Sequence, residues 1–124
     1  MDIDATKVEY SQHNAGVVYK LQPTSFRVLH SDFLKLSGNF GTEIDAVFLS
    51  PPWGGTGYQM LNEYNLEHIF PDFDLIIDKA LTYSPNLMLF LPKNTSVTDL
   101  TQRLAKFSDR LIGTRRRLDL DRMG

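Results

Sequence analysis

The residues best suited to chemistry are Ser50-Pro51-Pro52-Trp53, followed by glycines at 54, 55 and 57. Methyl transfer to an exocyclic amino nitrogen of a base needs acceptors that aim the nitrogen's lone pair and an aromatic plane that holds the base. A polar residue at a strand end, then two prolines and an aromatic ring, supplies both. The prolines lack backbone donors and end the ladder, which frees carbonyl oxygens to accept hydrogen bonds. The glycines let backbone approach something flat or anionic. The bland alternative is that Trp53, the only tryptophan of the chain, fills core beside a turn. Two prolines before it and two glycines after it favour a ring that faces a ligand.

Other chemistries fit these residues less well. Ser50 as a hydrolase nucleophile lacks a Gly-x-Ser-x-Gly elbow, and the proline after it has no N–H to offer an oxyanion. The glycines are not followed by the Lys-Ser/Thr of a phosphate loop. His13, His30 and His68 show no metal-ligand spacing and read as surface or packing residues, and cysteine is absent, so no metal is expected. Carboxylates stand at two further strand ends. In a doubly wound sheet an acid at the end of the second strand accepts the hydroxyls of a ribose. Asp2 is placed for that role and Asp4 for a helix cap, although a purely structural role suits Asp2 as well. Asp32 could accept from an adenine amino group or equally cap the turn after it.

The elements that must position these groups alternate strand and helix. Met1–Asp4 reads as the end of a strand. Asp4 is a good N-cap for a helix over Ala5–Ala15, with Asn14 and Gly16 as its stop. Val17, Val18, Tyr19 and Leu21 then suggest an irregular connection that packs on the sheet. Phe26–His30 alternates as a strand. Val47, Phe48 and Leu49 are the apolar centre of a strand over 45–50, of the kind that fits a parallel strand covered on both faces. Residues 59–71 read as a short helix or ordered loop closed by Pro71. Asp72 caps a helix whose Phe73, Ile76, Ile77, Ala80 and Leu81 share one face. Asn86–Leu91 is a second central strand, stopped by Pro92. Ser96 and Asp99 resemble a capping box that opens a helix to about Phe107, with Val97, Leu100, Leu104 and Phe107 on one stripe. The order predicts an α/β fold with a mostly parallel, doubly wound sheet.

Composition bounds the partners. With 124 residues, of which 42% are hydrophobic, the chain has the length of one modest domain. The balance of 13 basic against 15 acidic residues does not suit a protein that grips long nucleic acid through its phosphates, but leaves room for a nucleotide or an RNA end. No apolar run approaches the roughly 20 residues of a membrane span, and the start lacks a signal-peptide pattern. We therefore expect an intracellular protein with no membrane association. Five of the seven arginines fall in 109–124, which reads as a solvated tail or edge rather than a phosphate-binding arm.

The run Phe48-Leu49-Ser50-Pro51-Pro52-Trp53-Gly54-Gly55 with Tyr58 resembles the trimethylguanosine synthase family, S-adenosylmethionine-dependent RNA cap guanine-N2 methyltransferases with a Rossmann-like class I fold. Asp2-Ile3-Asp4 is similar to the family's ribose-binding motif, Ser31-Asp32-Phe33 to its adenine-contacting motif, and Leu91-Pro92-Lys93-Asn94 to its Phe-Leu-Pro-Arg-Asn segment. The resemblance implies that Ser50 and Pro51 orient the guanine 2-amino group and that Trp53 stacks on the cationic 7-methylguanine. It implies that Tyr58 and Lys93, in a segment with Asn94, meet the cap phosphates, and that Asp2, Asp32 and Phe33 bind S-adenosylmethionine. Capped small nuclear and nucleolar RNA would be the substrate, converted to the trimethylated cap by a monomer in the nucleus, with nucleolus, Cajal body and cytoplasm as further sites. Lys93 stands where the family has arginine, which keeps the charge without the bidentate fork, and Thr56 stands where it has proline. The family's first strand and glycine-rich donor loop precede the segment at Asp2 and are not matched by these residues. Its closing strands are not recognisable in 109–124. The expectation is a partial domain, with 1–107 as family core and 108–124 as a basic tail. Two alternatives stay open: a non-catalytic fragment that binds a capped base, and an amino-group methyltransferase acting on another base such as adenine.

Overall fold

The computed structural model describes residues 1–38, 40–41 and 43–111, apart from the side chains of Thr56, Tyr58 and Leu111. The expected basic tail from Ile112 onward lies outside the described residues. The chain divides into two compact units, Met1–Asn39 and Phe40–Gly124.

In the first unit, backbone hydrogen bonds carry most of the order. Asp4 caps helix α1 (Ala5–His13) by accepting from the N–H groups of Thr6 and Lys7, which satisfies donors that a helix start leaves open. Gly16 does not stop the helix. The chain widens instead into a π-turn over Asn14–Val18, where Tyr19 N–H donates to Asn14 O at 2.9 Å and Leu21 N–H to Ala15 O at 2.8 Å. Lys20, at φ +53°, takes the left-handed position that glycine usually fills at a helix end. The expected strands at Met1–Asp4 and Phe26–His30 meet in a single parallel bridge, Asp2 with His30. The ladder stops there because Asp4 turns into the cap. Val17, Val18, Tyr19 and Leu21 do not pack on a sheet. All four are exposed, and Val8 is the unit's buried apolar side chain among the described residues.

The second unit is built on burial. Strands β1 (Val47–Leu49) and β2 (Leu87–Leu89) pair in parallel, with Phe48 opposite Met88. Hydrogen bonds from Val47 N–H to Asn86 O and from Phe90 N–H to Leu49 O extend the pairing by one residue at each end of β2. Helix α2 (Phe73–Leu81) is capped by Asp72 and buries Phe73, Ile76, Ile77 and Ala80, four of the five positions expected on its face. Full burial of such a side chain contributes about 1.5–3 kcal/mol. Helix α3 (Val97–Ala105) buries Leu100, while Val97 stays exposed. Its Ser96 Oγ accepts from Asp99 N–H, but the Asp99 carboxylate does not close a capping box. It accepts instead from Leu66 N–H at 2.7 Å and from Arg103 Nε at 3.0 Å. Asp74 and Asp78 of α2 pair with Lys106, Arg103 and Arg110, so Arg110 of the expected tail is tied to a helix.

The fold is α/β with parallel pairing, as expected. The expectation that β1 is covered on both faces fails: Leu49 is buried, whereas its neighbour Phe48 is 62% exposed and the opposing Met88 64%. In the described residues β1 and β2 form a two-stranded sheet, and a parallel pair needs layers on both sides to bury alternate side chains.

Candidate functional site

Beyond Leu49 the two prolines release the chain from the sheet, and the loop that follows is fastened at several points to the segment after β2. Tyr64 is the main fastening. It is 0% exposed. Its hydroxyl donates to the Trp53 carbonyl at 2.8 Å, its N–H donates to Asn94 O, and its carbonyl accepts from Ser96 N–H. Burial pushes its phenol above the ordinary value, as desolvation does for a group that would ionise to an anion. Asn94 Nδ2 donates to Leu61 O at 3.0 Å, and Phe70 N–H donates to Pro52 O at 3.2 Å.

These contacts hold Trp53 in a defined orientation. Its indole N–H donates to Phe90 O at 3.2 Å, and its ring lies 5.4 Å from that of Phe90 at 32°. Phe90 directly follows β2, so both strands fix the tryptophan, one through the chain that leads to it and one through a carbonyl. Gly54 and Gly55 follow at φ +87° and +86°. A Cβ at Gly54 would come within 3.1 Å of the His68 carbonyl, so both the backbone conformation and the close approach call for glycine. Between these parts lies a cavity of about 130 Å³ lined by Trp53, Gly54, Gly57, Leu61, Tyr64 and His68.

Ser50 is exposed and Pro51 half-buried. The Pro52 carbonyl is taken up by Phe70, while those of Ser50 and Pro51 accept no hydrogen bond among the described residues. Two acceptors are thus left at the end of β1, three and two residues before the ring. Lys93 is exposed and makes no ion pair among the described residues. Asn94 is half-buried, and its amide braces the loop at Leu61. The side chain of Tyr58 lies outside the described residues.

Asp2, Asp32 and Phe33 stand in the first unit. One Asp2 oxygen accepts from Asp4 N–H at 2.9 Å, and one Asp32 oxygen accepts from Leu34 N–H at 3.0 Å, capping the 3-10 turn Phe33–Lys35. The bridge at His30 brings Ser31 N–H to Asp2 O, so the two acidic segments end side by side. Each carboxylate keeps an oxygen that accepts no hydrogen bond among the described residues. Those acceptor oxygens fit a ribose diol or an amino group, both of which donate hydrogen bonds. Tyr64, His68, Phe90 and Asp99 carried no signal of a site role in the sequence. Their parts arise from contacts across 11 to 37 positions, as with Tyr64 to Trp53 and Trp53 to Phe90.

Comparison with known proteins identifies the family of the chain. Residues 1–123 match a family model described as RNA cap guanine-N2 methyltransferase. The trimethylguanosine synthase of Schizosaccharomyces pombe is 33% identical over 104 residues, covering 81% of this chain and 43% of that protein. The trimethylguanosine synthase of Saccharomyces cerevisiae is 39% identical over 64 residues, covering 50% of this chain and 20% of that protein. The chain thus spans less than half the length of these curated relatives. Its parallel α/β architecture is that of part of a Rossmann-like methyltransferase domain.

Proposed function

The chain belongs to the RNA cap guanine-N2 methyltransferase family, and from that premise we propose that its second unit holds the guanine of a 7-methylguanosine cap while N2 is methylated. The observation that carries this reading is the orientation of Trp53: an indole whose N–H donates to Phe90 O, on a backbone whose carbonyl accepts from the Tyr64 hydroxyl, on the wall of a cavity. A methylated cationic base over an indole face is a favourable cation–π pair. The carbonyls of Ser50 and Pro51 accept from the 2-amino N–H groups, which directs the nitrogen lone pair away from them. The amine can lose its proton to water after transfer, so no general base is assigned. Lys93 and Tyr58 meet the cap phosphates, and Asn94 ties the segment after β2 to the loop after β1 through Leu61.

Asp2, Asp32 and Phe33 would hold the donor's ribose and adenine. When bound, S-adenosylmethionine supplies the electrophilic methyl group. On this reading the substrates are capped small nuclear and nucleolar RNAs, trimethylated in the nucleus by a monomeric protein. A second reading has one observation in its favour: every fastening of Trp53 described above lies within Phe40–Gly124, so this unit could bind a capped base without transfer.

Because Trp53 is the only tryptophan, its fluorescence reports stacking directly. We expect quenching by a 7-methylguanosine cap analogue, and transfer of labelled methyl to that analogue by the longest form of the protein. Quenching without transfer would select the binding reading, and the absence of both would reject a cap function. Transfer to adenine but not to the cap would point to another base.

A further inference from the structure

Among the described residues that line the cavity beside Trp53, one side chain has polar atoms that are not already committed. The Trp53 indole N–H is engaged by Phe90 O, and the Tyr64 hydroxyl by the Trp53 carbonyl. Leu61 is apolar, and Gly54 and Gly57 present backbone. His68 is different. Its imidazole makes no hydrogen bond among the described residues, and its polar approach is a long one, 3.9 Å from Nε2 to Glu67 Oε1. The ring is nevertheless held in place. It lies 5.6 Å from the Tyr64 ring at 47°, and its backbone N–H donates to Asn65 O at 3.2 Å within the short helix Leu66–His68. The His68 carbonyl sits against Gly54, which seats this residue directly beside the glycine turn that follows Trp53.

The described walls of this pocket combine aromatic rings with glycine backbone, so selection among bases falls to the few side-chain polar groups placed in it. We propose that His68 is a specificity-determining residue, whose imidazole hydrogen-bonds the polar edge of the base that stacks on Trp53. Stacking on an indole does not distinguish one cationic purine from another, because each has a π face. The edge does distinguish them, since guanine offers a carbonyl oxygen to which an imidazole N–H can donate, and adenine has no such oxygen. This inference rests on reading the cavity as a site for a cap base, and it adds the group that selects guanine there.

Trp53 fluorescence of the 124-residue chain, titrated with 7-methylguanosine 5′-monophosphate and with 1-methyladenosine 5′-monophosphate, tests it. Both ligands carry a cationic purine and one phosphate, and they differ at the base edge. The wild type should prefer the guanine nucleotide. His68→Ala should weaken that nucleotide about tenfold, the size expected for losing one hydrogen bond in a partly desolvated site, and leave the adenine nucleotide unchanged. His68→Gln, which keeps a donor and an acceptor, should recover most of the difference. Unchanged binding of the guanine nucleotide by His68→Ala would overturn the proposal. So would a parallel loss of both nucleotides, or the failure of His68→Gln to recover any preference, because packing alone would produce either result. Absence of guanine-nucleotide quenching in the wild type would overturn the cap reading and this inference together, whereas wild-type binding with an indifferent His68→Ala would overturn the inference alone.

Discussion

Met1–Asn39 and Phe40–Gly124 hold their order by different means. The second unit buries a continuous set of apolar side chains from Leu49 through Tyr64, Leu66 and Phe73 to Leu100, whereas the first buries Val8 and leaves Ile3, Tyr10, Val17, Val18 and Tyr19 exposed. Both units have well-capped helices, α1 through Asp4 and α2 through Asp72. Capping satisfies backbone donors but adds about 1 kcal/mol, too little to offset the conformational entropy of ordering a helix without a buried face. Local geometry of good quality therefore does not make a unit stable. The Trp53 site lies in the unit with the core, which suits the proposal that this ring holds a base in a fixed orientation.

The largest expected effect is on the second unit. Tyr64→Ala removes a fully buried ring together with its hydroxyl bond, and should destabilise Phe40–Gly124 by about 3–5 kcal/mol. Chemical denaturation followed by Trp53 fluorescence checks it, and a loss below 1 kcal/mol would break the contrast drawn above. Asp99→Ala comes next, because it strands the buried Leu66 N–H and frees Arg103; about 1–3 kcal/mol is expected. Asp4→Ala should cost about 1 kcal/mol, confined to the first unit. Amide exchange should quicken in α1 and not in α2, and equal quickening in both would show that the two units do not hold their order separately.

The smallest expected effect is one of pH. Folding raises the Tyr64 phenol above the ordinary value through burial. The unfolded chain therefore releases this proton first, near pH 10, and stability is kept below that pH and falls as pH rises through the folded value. Tyr64→Phe should flatten this alkaline limb in the same denaturation experiment, while an unchanged limb would assign it to other groups.

Much of the fold was readable from neighbours in sequence. The caps at Asp4, Asp72 and Ser96, the apolar face of α2, and two strands stopped by Pro51 and Pro92 are local matters, decided by which donors a short side chain can reach and by what proline forbids. The reading failed where the outcome depends on contacts elsewhere in the chain. Phe48 looked like a two-sided core residue because an apolar run does not state how many layers cover it. Gly16 looked like a helix stop, but the π-turn moved that stop to Lys20.

That a strand ends at Ser50 in a rigid aromatic loop follows from the local residues, since two prolines and the glycines after Trp53 allow little else. Which way the tryptophan faces and what shares its cavity depend instead on long-range contacts. Tyr64, Phe90 and His68 reach Trp53 and Gly54 through space, and their partners are set by how the loop folds back on the segment after β2 rather than by any spacing along the chain.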